Sequence, residues 1–420
     1  MRILVVTAFQ QLRPDAVSGF AMRQRLFIEA MTRLGAELHI LYFTHHDASY
    51  GGGPETLIEL EDLVKSSWGK NCKVTIIRRA KPNQTFSVKG ESYLISKFFD
   101  LPGYASLANK TQVDAFESAL AWGPDLIFVH RLIAMPPVLR ARRSLPPIAF
   151  DLDDIESVAL MRRLLATPMD WRQWKSWLGW PAIYAGEKHS LSIANMIFVC
   201  STGDAAAIDK RTISGKVISV PNNLPIPTTW QRSQSPNLLM LGNYGHWPNS
   251  SGIEYFVAQV WPLIHAAIPN SMLRVAGPGG HQLAFANKPP AGVVVTGYVE
   301  DLAGLYSDTA VVVCPIYSGS GTRVKLVEAA GYGIPAVSTP IGAEGLDLID
   351  GVEICIARGV TDFASQCIQL LRDPAKANLI SEAARRAAET RFNREVIVNQ
   401  LMNNFKEFSP LNTEGVGLVT

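Results

Sequence analysis

Between Pro315 and Leu346 the chain reads PIYSGSGTRVKLVEAAGYGIPAVSTPIGAEGL, a stretch in which several groups with chemical capacity stand close together. The loop Gly319, Ser320, Gly321 and Thr322 can turn its backbone N–H groups outward. Arg323 and Lys325 add two cations, and Glu328 follows among the apolar Val324, Leu326 and Val327. A Ser/Gly loop that opens a helix presents unpaired N–H donors and the positive end of the helix dipole, so an anion with several oxygens fits there. Two full charges beside it suit a diphosphate. Glu328 falls about one and a half turns into that helix. A buried carboxylate needs donors, and two sources exist: the hydroxyls of a ribose, or an ion pair on its own helix with Lys325 and, less well, Arg323. The first source makes the stretch a nucleotide site, and the second makes it an ordinary helix face.

The first half of the chain holds further candidates. His130 closes the apolar run DLIFVH, and Asp151, Asp153, Asp154 and Glu156 crowd FDLDDIES, again at the carboxyl end of a strand-like run. Clustered carboxylates serve acid–base chemistry, hold metals or orient substrate hydroxyls, while helix N-capping by Asp153 or Asp154 accounts for at least one of them. Asp151 and Asp153 are the candidates for an acceptor hydroxyl. A lone histidine at a strand end is structural unless a site recruits it. Gly19, in VSGFAMR, either starts a helix or lets backbone approach a ligand closely. No His/Cys/Asp spacing matches a metal site, so no metal is expected. GxxxxGK[ST] is absent, and the GPGG at 277–280 lacks the third glycine and the helix signal of a dinucleotide fingerprint.

These groups need elements to hold them. Short apolar runs bounded by turn residues (ILVVTAF, ELHILYF, KVTIIR, DLIFVH, IAFDLD, MIFVCS, KVISVP) alternate with helical spacings such as FAMRQRLFIEAMTRLG, which closes on Gly35. After the Pro/Asn/Ser-rich VPNNLPIPTTWQRSQSPN a second series follows: LLMLGNY, MLRVAGP, GVVVTGY, AVVVCPI, IPAVSTP and VEICIA. Alternation of this kind predicts parallel βαβ units in an α/β fold with two doubly wound domains. Their ligand-binding strand ends are expected to face one another across a cleft. The expected boundaries are residues 1–222 for the first domain, 223–236 for a linker, 237–392 for the second domain, 393–408 for a helix crossing back to the first, and 409–420 for a flexible tail.

With 420 residues, 47% of them apolar, the chain is long enough for two cores. Its net charge of +2 gives no signature of nucleic-acid binding. The charge is uneven: residues 1–220 hold 26 Lys and Arg against 21 Asp and Glu, and the remainder 13 against 16. That basic excess suits an anionic partner such as a membrane surface, though scatter of this size is also common between domains. Trp171, Trp174, Trp177 and Trp180 recur every third residue with Arg172 and Lys175 between them, the pattern of an interfacial anchor, of a lid over a lipid-linked acceptor, or of a stripe packed on its own domain. Five scattered cysteines without CxxC spacing, an N-terminus that reads as a strand and the lack of a spanning run predict a cytoplasmic protein, in peripheral contact at most with the inner face of the membrane.

The second half resembles the nucleotide-sugar-binding domain of the GT-B glycosyltransferases of family 4, a retaining family, in its GSGTR-type branch. The matching elements, in family order over residues 238–392, are GNYGHWPNSSGIEYFVAQVWPLI, LRVAGPG, VTGYVEDLAGLYSDTAVVVCPI, GSGTRVKLVEAAGYGIPAVSTPIGAEGL and ARGVTDFASQCIQLLRD. The first half is similar more loosely, through SGFAMRQRLFIEAMTRLGAELHIL, PDLIFVH, EKHSLSIANMIFVCSTGDAAAI and VISVPNN. The resemblance implies a GT-B fold, with an acceptor domain followed by a donor domain. It also implies transfer of a sugar from a nucleoside-diphosphate donor to a glycan, lipid-linked or small-molecule acceptor, with no bound cofactor, in surface-polysaccharide, glycolipid or related synthesis. It gives Glu328 the role of holding the donor ribose and places Ser320 where the first glutamate of the E-x7-E motif stands. It brings His130 to the donor sugar and Gly19 to the diphosphate. Tyr298 and Val299, in VTGYVED, and the 319–322 loop fall on the donor side. The family's usual Arg and Lys after the first strand of this domain are missing from GNYGHWPNSSG, so Arg323 and Lys325 take over charge neutralisation. The departures from the motif also fit a partner subunit that binds a sugar nucleotide without catalysis, and a GT-B-fold sugar-nucleotide epimerase is a third reading.

Overall fold

The computed structural model describes residues 1–8, 19–44, 54–68, 72–78, 108–166, 174–209, 213, 215–223, 226–228, 233–318 and 323–408. The chain divides into two compact units, one made of Met1–Val220 with Ile397–Thr420 and the other of Pro221–Val396. The tail expected beyond residue 408 lies outside the described residues.

In the first unit seven strands form one parallel sheet: β1 (Arg2–Thr7), β2 (Glu37–Thr44), β3 (Cys72–Arg78), β4 (Leu126–His130), β5 (Ile148–Asp153), β6 (Met196–Val199) and β7 (Lys216–Ser219). Their order is β3-β2-β1-β4-β5-β6-β7. The apolar runs are continuous because both faces of the sheet are covered; β4, β5 and β6 are buried at every position. The strand order reverses between β1 and β4, which leaves a crevice at their carboxyl ends. Helix α1 (Gly19–Arg33) ends as its sequence predicts: Gly35 takes φ 71°, its N–H reaches the Thr32 carbonyl and the Ala36 N–H reaches that of Met31.

Helix α1 shares one face of this sheet with the last described helix, α2 (Arg394–Lys406). Phe405 of α2 meets Phe198, Phe128 and Phe27 at ring-centroid distances of 5.7, 6.1 and 6.4 Å. The last described helix is thus part of the first unit's core.

The second unit repeats the plan with β8 (Asn237–Leu241), β9 (Met272–Ala276), β10 (Val293–Gly297), β11 (Val311–Cys314), β12 (Ala336–Ser338) and β13 (Cys355–Ile356) in the order β10-β9-β8-β11-β12-β13. Every pairing is parallel, and here the reversal lies between β8 and β11. All thirteen apolar runs of the sequence are strands, so the expected α/β class with two doubly wound sheets is what the chain forms.

Of the four regularly spaced tryptophans, Trp171 lies outside the described residues and Trp174 opens the helix Trp174–Ile193. Trp177 and Trp180 are half-buried. Trp180 donates from Nε1 to the Ser157 carbonyl at 2.8 Å and stacks on Tyr184, which ties it to its own unit. Among the described residues no helix is long and apolar enough to cross a membrane.

Candidate active site

In the second unit the crevice is built from the loops after β8 and β11. The loop Gly242–His246 leads into the helix Trp247–Tyr255, whose N-cap is His246. The loop after β11 leads into the helix Val324–Gly331, whose N-cap is Arg323. Lys325 joins the two: its Nζ donates to Oδ1 of Asn249 at 2.9 Å. The approach is close at Gly242, where an added Cβ would stand 3.1 Å from Lys325 Nζ and 3.2 Å from the Asn249 side chain and would push on both. Backbone contacts extend the same logic to GPGG. Gly277 adopts φ +127° with its absent Cβ 2.0 Å from the Gly242 carbonyl oxygen, and at Gly279 a Cβ would meet the Gly245 nitrogen at 2.8 Å. These glycines let the β9 loop press on the GNYG loop, a packing reason for a motif that resembled a phosphate fingerprint.

Lys325 is only 9% exposed, and no carboxylate among the described residues forms an ion pair with it. Burial lowers its pKa and Arg323 works in the same direction, with Cys314 and Glu328 opposing in part. His246, on the exposed N-cap beside the same two cations, is likewise pushed down by partial desolvation and then by Arg323 and Lys325. Two helix N-termini and a group of basic residues therefore converge where the sequence placed an anion.

Glu328 does not pair with Arg323 or Lys325. Its Oε2 accepts from the Tyr306 hydroxyl at 3.1 Å, and the Tyr306 ring stacks on Tyr332 at 4.3 Å. Burial raises the Glu328 pKa, with Tyr306 and Lys325 opposing it in part. Tyr298 follows β10 and is 72% exposed, and Val299 beside it is half-buried. Gly319, Ser320, Gly321 and Thr322 lie outside the described residues.

In the first unit His130 ends β4 and Asp151 lies near the end of β5. His130 Nδ1 is 2.8 Å from Asp151 Oδ2. Arg23, on the second turn of α1, grips the same carboxylate: Nε lies 3.0 Å from each oxygen and Nη2 lies 2.6 Å from Oδ1. Burial opposes the charge on Asp151, but Arg23 and His130 outweigh it and hold the carboxyl below its usual range. Asp151 is fully buried, so its oxygens face these partners and not solvent.

Asp153 adopts φ 62° and accepts from the Cys200 thiol at 2.7 Å, with Arg23 at 3.3 Å and Arg131 at 3.7 Å. Asp153, Asp154 and Cys200 offer atoms within 4.8 Å of one another. The two guanidinium groups beside them already balance the negative charge, which disfavours a cation there. Gly19 is the first residue of α1, one turn before Arg23.

Sequence reasoning did not single out Arg23, Asn249, Gly242 or Tyr306. For Arg23 a signal was available, since a basic residue on the apolar stripe that also carries Phe27 must find a buried acid. Asn249 and Tyr306 gave none.

The family model for glycosyl transferases group 1 matches residues 235–373. An uncharacterized 44.6 kDa protein in the cps region of Klebsiella pneumoniae is 23% identical over 165 residues, which are 36% of this chain and 42% of that protein, so the match spans less than half of the relative. Three solved structures are similar over almost the whole chain. A sucrose-phosphate synthase from Thermosynechococcus elongatus is 18% identical, covering 97% of this chain and 99% of its own, with a TM-score of 0.68. Anabaena HepE in complex with UDP is 16% identical, at 97% and 100% coverage and a TM-score of 0.61. The pneumococcal O-GlcNAc transferase GtfA in complex with UDP and GlcNAc is 13% identical, at 97% and 99% coverage and 0.62. The chain has the GT-B fold, and residues 235–373 within it match the model of the group 1 glycosyl transferases.

Proposed function

We propose that this glycosyltransferase moves a sugar from a nucleoside-diphosphate donor, in the first instance a UDP-sugar, to an acceptor with retention of anomeric configuration, as a family 4 enzyme of surface-polysaccharide or related glycan assembly. The observation that carries the reading is Lys325, a buried ammonium held between two helix N-termini with no carboxylate in ion-pair contact among the described residues. Such a charge is stable when an anion joins it, and a diphosphate supplies one. Departure of the diphosphate then develops negative charge at the point where Arg323, Lys325 and the dipole of the helix Val324–Gly331 stand, which lowers the barrier as the sugar becomes oxocarbenium-like. Glu328, aimed by Tyr306, accepts from the ribose hydroxyls. Tyr298 and Val299 border the base, the 319–322 amides and Gly19 serve the phosphates, and His130 serves the transferred sugar. With no enzymic nucleophile assigned, the leaving phosphate takes the acceptor proton on the same face of the sugar. Asp151 is assigned to His130 and not to the acceptor, because both of its oxygens are engaged by Arg23 and His130.

Support for the donor class comes from the UDP held by HepE and GtfA, and for the pathway from the cps-region relative. The test is a calorimetric titration with UDP, GDP and their sugars, followed by single turnover with candidate acceptors and NMR of the product anomer. Release of nucleotide with formation of an α-linked glycoside from an α-linked donor is expected. A chain that binds none of these nucleotides, or turns over equally well as Arg323→Ala and Lys325→Ala, overturns the proposal.

A further inference from the structure

We propose that Arg23 is a positioning residue of the transfer reaction: by fixing Asp151 it keeps the hydrogen of His130 on Nδ1 and so sets the tautomer and orientation of the imidazole. The inference rests on the reading that His130 serves the transferred sugar. Three side chains carry it, all buried: Arg23 at 1%, Asp151 at 0% and His130 at 3% exposure. An ionised carboxylate has no hydrogen to give, so at 2.8 Å from Asp151 Oδ2 the Nδ1 atom of His130 must be the donor.

The carboxylate would be free to turn if His130 were its sole partner. Arg23 removes that freedom with contacts from Nε to both oxygens and from Nη2 to Oδ1. The guanidinium is itself anchored, because Nη1 donates to the carbonyl of Val220 at 2.6 Å. A lysine could supply the charge but not this planar fork. Buried ion pairs add little net stability over apolar residues of equal size, so what this one supplies is geometry. Arg23 also stands one turn from Gly19, so a single side chain relates the start of α1 to the ends of β4 and β5.

The test uses the full chain labelled with ¹⁵N-histidine, reading the ring nitrogens in long-range proton–nitrogen spectra, with His130 assigned by the signal lost in His130→Asn. The wild type is expected to show the Nδ1–H form. In folded Arg23→Lys and Arg23→Gln that signature is lost, and turnover per folded molecule drops about 10²-fold, the scale of a small misplacement of a catalytic group. Donor affinity stays within about twofold, since the interactions lost are not those that bind the diphosphate. An Nε2–H signature in the wild type, or variants that keep both the Nδ1–H signature and wild-type turnover, overturn the proposal. Should neither variant fold, the wild-type tautomer decides alone. If instead His130→Asn turns over normally while the Nδ1–H signature stands, the reading of His130 at the sugar has failed and not the hold of Arg23 upon it.

Discussion

Replacing Lys325 with methionine separates a charge kept for a ligand from a charge kept for the fold. The ammonium is 9% exposed, its hydrogen-bond partner is the neutral Asn249 amide, and burial lowers its pKa. Between that lowered value and the ordinary lysine value the unfolded chain binds more protons than the folded one, so stability without ligand rises with pH across this window, and below the window the full penalty of burying the charge stands. Lys325→Met, similar in length and apolar, removes the penalty. The unliganded variant is therefore expected to be at least as stable as wild type at neutral pH, and to lose the extra gain in stability at alkaline pH. With nucleotide present the order reverses. A charge-assisted hydrogen bond to phosphate is worth about 1.5–3 kcal/mol, which corresponds to roughly 10- to 150-fold in Kd. UDP at one hundred times the wild-type Kd stabilises the wild type by about 2.7 kcal/mol and the variant by only about 0.3–1.4 kcal/mol. Urea unfolding with and without UDP measures both quantities. A variant that is destabilised without ligand yet keeps the full UDP stabilisation would show that Lys325 is a structural cation, and the phosphate assignment would fall with it.

Glu328→Gln is expected to weaken donor binding by about tenfold or more, because hydrogen bonds to a charged acceptor are worth about 1.5–3 kcal/mol. Since burial raises the Glu328 pKa, wild-type donor affinity should decline as pH falls through that raised value while the Gln variant stays flat; parallel pH profiles by calorimetry would contradict the role. Tyr306→Phe keeps the stack on Tyr332 but removes the hydroxyl that aims Glu328, so donor Kd should rise by roughly tenfold, given about 1–1.5 kcal/mol for one such bond. An unchanged Kd would mean that Glu328 is held by something else. Phe405→Ala opens a cavity under β4 and β6 and should cost about 3–5 kcal/mol in denaturant unfolding; a loss below 1 kcal/mol, roughly the effect of a surface change, would deny the closing helix its place in the first core.

What the sequence made legible follows from the kind of information periodicity carries. Continuous apolar runs such as IAFDLD and VVVC identify strands covered on both faces, and the glycine after a helical spacing marks its end at Gly35, because both effects act over a few residues. Periodicity states which side of an element is buried but not what it meets. Arg23 and Asp151 are 128 residues apart, Lys325 and Asn249 76, and Glu328 and Tyr306 22, so none of these pairs leaves a local trace. GPGG, set aside as a fingerprint in the sequence, owes its glycines to a contact of the same non-local kind: Gly277 and Gly279 answer to the backbone of a neighbouring loop. What local sequence does reveal is where a polar group lies among apolar ones and must therefore find a partner somewhere. Four such residues stand out in this chain. Arg23 and Asp151 satisfy one another, and Glu328 meets the Tyr306 hydroxyl. Lys325 meets an amide that cannot balance its charge. Lys325, whose hydrogen-bond partner among the described residues is neutral, lies at the sheet's reversal point between two helix N-termini, so an anion is the ligand that its surroundings favour.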